Sequence, residues 1–286
     1  MTRRVDDEIR RGAQTIKDAG VDSPLLDAQL IMARVLGCSR LDIIAHPERC
    51  LSDSELASFT ADIQTRSSRY PLAYILGHKE FYGIDFDVAP GVLVPRPETE
   101  VLVEECIKRI PAESPLIADI GVGTGAIAVA LAVKIPGARV WATEISLAAA
   151  KVARINIEKN HVADRVHVIM GDLLNPLTDL GFKYDVIVSN PPYIPSGVIE
   201  TLQPEVRLYE PSEALDGGVD GMDAYRRMFA QARDMLRKSG FIAVEIGIEQ
   251  AEPVKNIAVS SGYGQIDIIR DLAGIERVVV AYNDSN

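Results

Sequence analysis

The chain has 286 residues, 47% of them hydrophobic and 25% charged, which is enough apolar material for one or two cores at about 150 residues per domain and excludes a disordered chain. Thirty Lys and Arg against 41 Asp and Glu leave a net charge of −11, which argues against non-specific attraction to nucleic acid or anionic lipid. Cys38, Cys50 and Cys106 lack metal-ligand spacing and read as free thiols. The N-terminal "MTRRVDDEIRRGAQ" lacks the apolar centre of a signal peptide, and no apolar run reaches the roughly 18 residues that span a bilayer, so a soluble cytosolic protein is expected.

From Val5 to about Ser68 the apolar residues recur at helical spacing. In "SPLLDAQLIMARVLG" the stripe runs from Leu25 through Ile31 to Leu36 and ends at Gly37, a C-cap residue. Ser52 with Glu55 three residues on forms a capping box that opens a further helix. Two short strands, "KEFYG" and "IDFDVAP", make a hairpin linker, and a helix is expected near Pro97 with Glu98 and Glu100 in its first turn. Beyond Ser114, the runs "PLIADIG", "ARVWATE", "RVHVIMGD", "YDVIVSN" and "GFIAVEIG" are strand candidates, the first three separated by helical segments. That alternation predicts a mostly parallel sheet covered on both faces. "GQIDIIRD" and "ERVVVAYN", separated by a short Gly-containing turn, add an antiparallel edge. The expected division is a helical domain over 1–85 and an α/β domain over 86–286.

"ADIGVGTGAIAVA" places Gly121, Gly123 and Gly125 between a strand and a helix, where backbone must turn tightly and let a ligand approach. A tight strand-to-helix turn alone would also use such glycines. Glu144, at the end of the next strand about 20 residues on, stands where dinucleotide-type folds keep an acid for ribose hydroxyls. The spacing is Gly-x-Gly-x-Gly rather than Gly-x-Gly-x-x-Gly, and it resembles the S-adenosylmethionine loop of class I methyltransferases more than an NAD site. Asp172 and Leu173 end the third strand. They either border an adenine, as acceptor and apolar wall, or Asp172 caps the loop "GDLLNPL".

"YDVIVSNPPYIPSG" ends a strand with Asn190, Pro191, Pro192 and Tyr193. Two prolines cannot continue a central strand, so the chain leaves the sheet in a rigid extended loop. A planar amide or aromatic amine is a poor nucleophile. Acceptors on both its N–H groups, here the Asn190 side-chain oxygen and the Pro191 carbonyl, would orient it toward a methyl donor, with the Tyr193 ring stacked on its flat face.

With these motifs in view, the sequence resembles the HemK/PrmC family of glutamine methyltransferases. The resemblance rests on "RYPLAYILGHKEFYG", "VLVPRPETEVLVE", "DIGVGTGAIAVALA", "VSNPPYIP", "VRLYEPSEALDGGVDGMDAYR", "VEIGIEQ" and "DLAGIERVVVA", running in order from residue 69 to 281. It implies a Rossmann-like class I domain with a seven-stranded, mostly parallel sheet. It also implies S-adenosylmethionine as cofactor, S-adenosylhomocysteine as product, and class 1 peptide-chain release factors as partners, methylated on the glutamine of their Gly-Gly-Gln motif, with no metal, membrane or direct nucleic-acid partner. By the same resemblance Gly121, Val122, Gly123, Thr124 and Gly125 line the cofactor, Glu144 holds the ribose, and Asp172 and Leu173 border the adenine. Asn190 touches both cofactor and substrate, and Pro191, Pro192 and Tyr193 complete the glutamine site. Arg96 and its neighbours are expected to close over that site. The alternatives are the sister enzymes acting on a large-subunit ribosomal protein, whose segment after "VLVPR" departs from "PETE", and DNA adenine-N6 methyltransferases, against which the net charge of −11 counts.

Overall fold

In the computed structural model, which describes residues 3–110 and 113–283, the helices and strands follow the expected alternation. The first part holds α1 (Val5–Asp18), α2 (Pro24–Leu36), α3 (Arg40–Ala45), α4 (Asp53–Ser67) and α5 (Leu72–Leu76), followed by β1 (His78–Phe81) and β2 (Ile84–Asp87). Next come α6 (Thr99–Arg109), β3 (Leu116–Ile120), α7 (Ala126–Lys134), β4 (Arg139–Glu144), α8 (Leu147–Lys159), β5 (Val166–Met170), α9 (Asn175–Thr178) and β6 (Tyr184–Ser189). The last elements are α10 (Pro204–Tyr209), α11 (Asp223–Ala232), β7 (Leu236–Glu245), α12 (Ala251–Ser260), β8 (Gln265–Arg270) and β9 (Glu276–Tyr282). The outer ends of the two expected domains, residues 1–2 and 284–286, lie outside the described residues.

Two compact units result. In the first, α2 stops at Gly37, whose φ of 61° lets its N–H reach back to the carbonyls of Ala33 and Arg34. At the start of α4 the Ser52 side chain accepts from Glu55 N while Glu55 accepts from Ser52 N at 2.7 Å, so two orphan donors are satisfied together. Ile9, Ile16, Ile31, Phe59 and Ile63 close its core. Among the described residues this unit comprises 3–78 and a distant segment, Gln203–Tyr209. Glu205 of that segment accepts from Arg69 at 2.6 and 2.7 Å and from Arg66 at 3.1 Å, and Arg66 in turn donates to Asp27 at 2.7 Å. Arg66 and Asp27 are buried, so each charge needs the other and the remaining donors need Glu205. The sequence reading draws its boundary at residue 85, whereas the contacts divide the chain at His78 and place most of the hairpin with the second unit.

The second unit is built on a seven-stranded sheet of order β5-β4-β3-β6-β7-β9-β8. β3 pairs in parallel with β4 on one side and β6 on the other, so the chain direction across the sheet reverses at β3 and β6. Crevices at such reversals, beyond the carboxyl ends of the strands, are where open α/β sheets bind ligands. The strand that runs against its neighbours is β9, one place in from the edge, and β8 lies outermost. Helices α6, α7 and α8 cover one face and α9, α11 and α12 the other, so residues Ile117 to Ile120 of β3 are all buried. No helix among the described residues is long and apolar enough to cross a membrane.

Candidate active site

Only five residues separate the end of β3 from the start of α7. The turn is made with positive φ at Gly121 (74°), Gly123 (55°) and Gly125 (86°), a conformation that costs other residues roughly 1 kcal/mol or more. Gly121 N and Val122 N both donate to the Thr143 carbonyl, at 3.0 and 2.9 Å, which pins the loop to the end of β4. A Cβ built on Gly121 would meet no atom within 4 Å, and one on Gly123 only the Gly121 carbonyl at 4.0 Å. Both therefore open onto a cavity of about 520 Å³.

Glu144 ends β4 beside this loop. Its Oε2 accepts from Gly123 N at 2.9 Å and its Oε1 from Ser146 N at 2.8 Å, so the buried carboxylate is fixed by backbone while lone pairs on both oxygens remain for a ligand. Leu173 lines the same cavity with φ of 50°, an uncommon value for a branched apolar residue and a form of strain that concentrates at ligand sites. Asp172 also lines it, and its carboxylate is engaged by Arg227 of α11.

The opposite wall is Asn190, Pro191 and Pro192, at the end of β6. Ser189 Oγ donates to the Ile120 carbonyl at 2.7 Å and ties the ends of β6 and β3 together. After the prolines, Ile194 N donates to Leu215 O and Gly217 N to Ile194 O, both at 2.9 Å. The Tyr193 carbonyl accepts from Gln250 Nε2 at 2.8 Å, and Gln250 Oε1 accepts from Gly247 N at 2.9 Å. A Cβ on Gly217 would lie 2.8 Å from Pro192 O and from Tyr193 Cα, and one on Gly221 2.4 Å from Tyr193 O, so the flanking loop closes down on the Pro-Pro-Tyr backbone. The Asn190 Nδ2 donates to Thr99 Oγ1 at 3.1 Å, which leaves Oδ1 as the amide's available acceptor.

Two acids are buried in the sheet near the strand ends, one on β7 and one on β3. Glu245, at the end of β7, is 2% exposed, and burial pushes its carboxyl up to about 7. Its Oε1 accepts from the Tyr193 hydroxyl at 3.4 Å. Asp119 of β3 is fully buried, neither of its oxygens has a hydrogen-bond partner among the described residues, and burial, with Glu144 nearby, raises it to about 7. Arg96 donates to both oxygens of the buried Glu210, at 2.7 and 2.6 Å.

One cavity thus gathers Gly121, Gly123, Glu144, Asp172, Leu173, Asn190, Pro191 and Pro192 from the expected residues. Val122 and Thr124 instead line a smaller space of about 50 Å³ that also reaches Thr99 and Asn190. Gly125 lines neither; it precedes α7 and would bring a Cβ within 3.4 Å of Ala153. Tyr193 also lines neither, because its hydroxyl turns inward to Glu245. Thr99, Gly217, Gly221, Glu245 and Gln250 carry no role in the sequence reading. The glycine density of "DGGVDG" is the one local signal that could have flagged the close approach. Among the described residues no group of three or more His, Cys, Asp or Glu is placed to hold a metal.

A parallel sheet with one antiparallel strand, a glycine loop after its first strand and a cavity at its reversal point define a Rossmann-like methyltransferase domain. Residues 97–203 match the model of the methyltransferase small domain, and residues 8–77 that of the PrmC N-terminal domain. The hMettl16 catalytic domain, solved in complex with the MAT2A 3'UTR hairpin 6, shares the fold with a TM-score of 0.61 at 17% identity, over 78% of this chain and 82% of that one. The release factor glutamine methyltransferase of Moorella thermoacetica is 44% identical over 92% of this chain and 93% of its own length. That of Geobacter sulfurreducens is 43% identical over 92% and 91%. The chain belongs to the release factor glutamine methyltransferase family.

Proposed function

We propose that this protein transfers a methyl group from S-adenosylmethionine to the side-chain amide nitrogen of the glutamine in the Gly-Gly-Gln motif of class 1 release factors, in the cytosol. The observation that carries this reading is the single cavity of about 520 Å³ with the glycine loop and Glu144 on one side and Asn190 and Pro191 on the other. The residues fit the cofactor: Gly121 and Gly123 line the cavity with backbone and open space beside it, and Glu144 offers a pre-fixed carboxylate to two vicinal hydroxyls. When bound, the cofactor supplies a methyl group on a sulfonium, which is already a good leaving group.

The task left to the protein is the acceptor. A carboxamide N–H is too weak an acid for a side chain to deprotonate, so Asn190 Oδ1 and the Pro191 carbonyl accept from its two N–H groups and aim the nitrogen. Pro191 and Pro192 hold those acceptors without ordering on binding. Tyr193 anchors the loop of the glutamine site from beneath through Glu245. Leu173 and Asp172 border the adenine, with Asp172 exchanging its Arg227 partner for the exocyclic amine. The helical unit, which has its own family model over residues 8–77, takes the body of the release factor.

The test is mass spectrometry of a release factor incubated with the full chain and S-adenosylmethionine, with a large-subunit ribosomal protein and adenine-containing DNA as parallel acceptors. The expected result is a gain of one methylene confined to the Gly-Gly-Gln peptide. Modification of either other acceptor, with that peptide unchanged, would overturn the assignment.

A further inference from the structure

We propose that Asn156 of α8 is a positioning residue for the cofactor, because its one side chain fixes both the glycine loop and the segment 87–93 that reaches the same cavity. The inference rests on the reading above that this loop seats S-adenosylmethionine. Asparagine is a weaker helix former than alanine, and inside a helix its amide usually turns to water or to its own backbone. Asn156 does neither: it is 0% exposed, and its side-chain bonds all reach other parts of the chain.

Its Oδ1 accepts from Asp87 N at 2.7 Å, while Nδ2 donates to the carbonyls of Asp87 and Thr124, both at 2.9 Å. An amide has two N–H groups, and both are engaged here. A half-turn would set its oxygen against two carbonyls and its NH2 against Asp87 N, so the orientation is fixed. Thr124 belongs to the glycine loop, whose N–H groups at Gly121, Val122 and Gly123 are held by Thr143 and Glu144 at the end of β4. Asn156 adds a hold on one of the loop's carbonyls. Asp87 ends β2, and the chain beyond it packs Ala89 and Val92 against Ala149 and Val152 of α8, with Gly91, Val92 and Leu93 lining the cavity. Ala149, Val152, Ala153 and Asn156 stand at i, i+3, i+4 and i+7, on one face of α8. A Cβ on Gly125 would lie 3.4 Å from Ala153 Cα, so the loop and the segment rest on that same face. Lys159 also fastens β2 to α8, through Asp85 and Asp87, but these pairs are more exposed and of a kind that contributes little.

The test uses the full chain and S-adenosylhomocysteine, with affinity read by calorimetry, amide exchange by NMR, and the methylation rate at saturating cofactor. In wild type the ligand should slow exchange of the Asp87 N–H about tenfold beyond its effect on the amides of β8, at the far edge of the sheet. Asn156→Asp keeps the acceptor for Asp87 N and loses both donors. It should weaken binding about tenfold, leave the rate at saturation within about twofold, and abolish the extra slowing at Asp87. Lys159→Met loosens the same end of β2 and should change neither affinity nor the extra slowing. Equal slowing at Asp87 and β8 in wild type, unchanged affinity in Asn156→Asp, or an equal loss of affinity in Lys159→Met overturns the inference. Should Asn156→Asp not fold, the wild-type exchange and Lys159→Met decide it. A wild type that binds no S-adenosylhomocysteine overturns the cofactor reading and the inference together. Binding with the expected exchange pattern but no methylated glutamine leaves Asn156 in its role and removes only the acceptor reading.

Discussion

The two walls of the cavity use glycine for opposite ends. At Gly121 and Gly123, where the cofactor is proposed to sit, a Cβ would meet open space and the backbone is left accessible. On the acceptor side, Gly217 and Gly221 let protein backbone in, to within a distance of Pro192 and Tyr193 that no Cβ would permit. The first wall is shaped to receive and the second to resist movement. In the proposed reaction the cofactor brings its own reactivity and needs only to be held, whereas the amide nitrogen is unreactive and must be aimed. Rigidity is therefore concentrated at the clamp.

That contrast can be broken at single residues. The largest effect is expected for Asn190→Ala: a fall of about 100-fold or more in maximal methylation rate, with cofactor affinity within about twofold of wild type. Gly221→Ala comes next. Its new Cβ must displace the Tyr193 carbonyl and adopt φ of 76°, so chemical denaturation should show a loss of about 1–3 kcal/mol and the rate should fall about tenfold at unchanged cofactor affinity. Glu144→Ala should act on the other wall, weakening cofactor binding about tenfold by titration while the rate at saturation changes little.

Asp119→Asn should have the smallest effect on turnover and a visible one on stability. The folded-state carboxyl titrates at about 7, far above its ordinary value, so it binds a proton in the native state where the unfolded chain does not. Its stabilising contribution is complete at acid pH and is lost as pH rises toward 7. Urea unfolding should therefore show the variant gaining on wild type between about pH 4 and 7, by a few kcal/mol at most. A constant difference across that range would mean the carboxylate is paired.

The features legible in the sequence are those with a local cause. Strands β3 to β7 could be read from short β-branched runs, the Gly37 and Ser52 caps from single residues, and Glu144 from its distance after the glycine loop. What was not legible depends on partners far apart in the chain. Nothing near Glu205 announces that it will satisfy Arg66 and Arg69 and carry Gln203–Tyr209 into the helical unit. The insertion of β9 between β7 and β8 follows from pairing, which apolar patterning leaves open. Tyr193 reads as a stacking ring because aromatic residues beside a planar substrate usually are; its inward turn needs Glu245, 52 residues on. Thr99 is hidden for the same reason, since a threonine at a helix start already has a sufficient local explanation.

The central claim is a division of labour between the two walls, and paired measurements on Asn190→Ala and Glu144→Ala test it most directly. For each variant, the dissociation constant for S-adenosylhomocysteine and the rate of methyl addition to the Gly-Gly-Gln glutamine at saturating cofactor would be determined on the same preparation. The account predicts a crossing, with rate lost and affinity kept in the first variant, and affinity lost and rate kept in the second. Loss of both quantities in both variants, or an Asn190→Ala enzyme that still methylates at the wild-type rate, would contradict it.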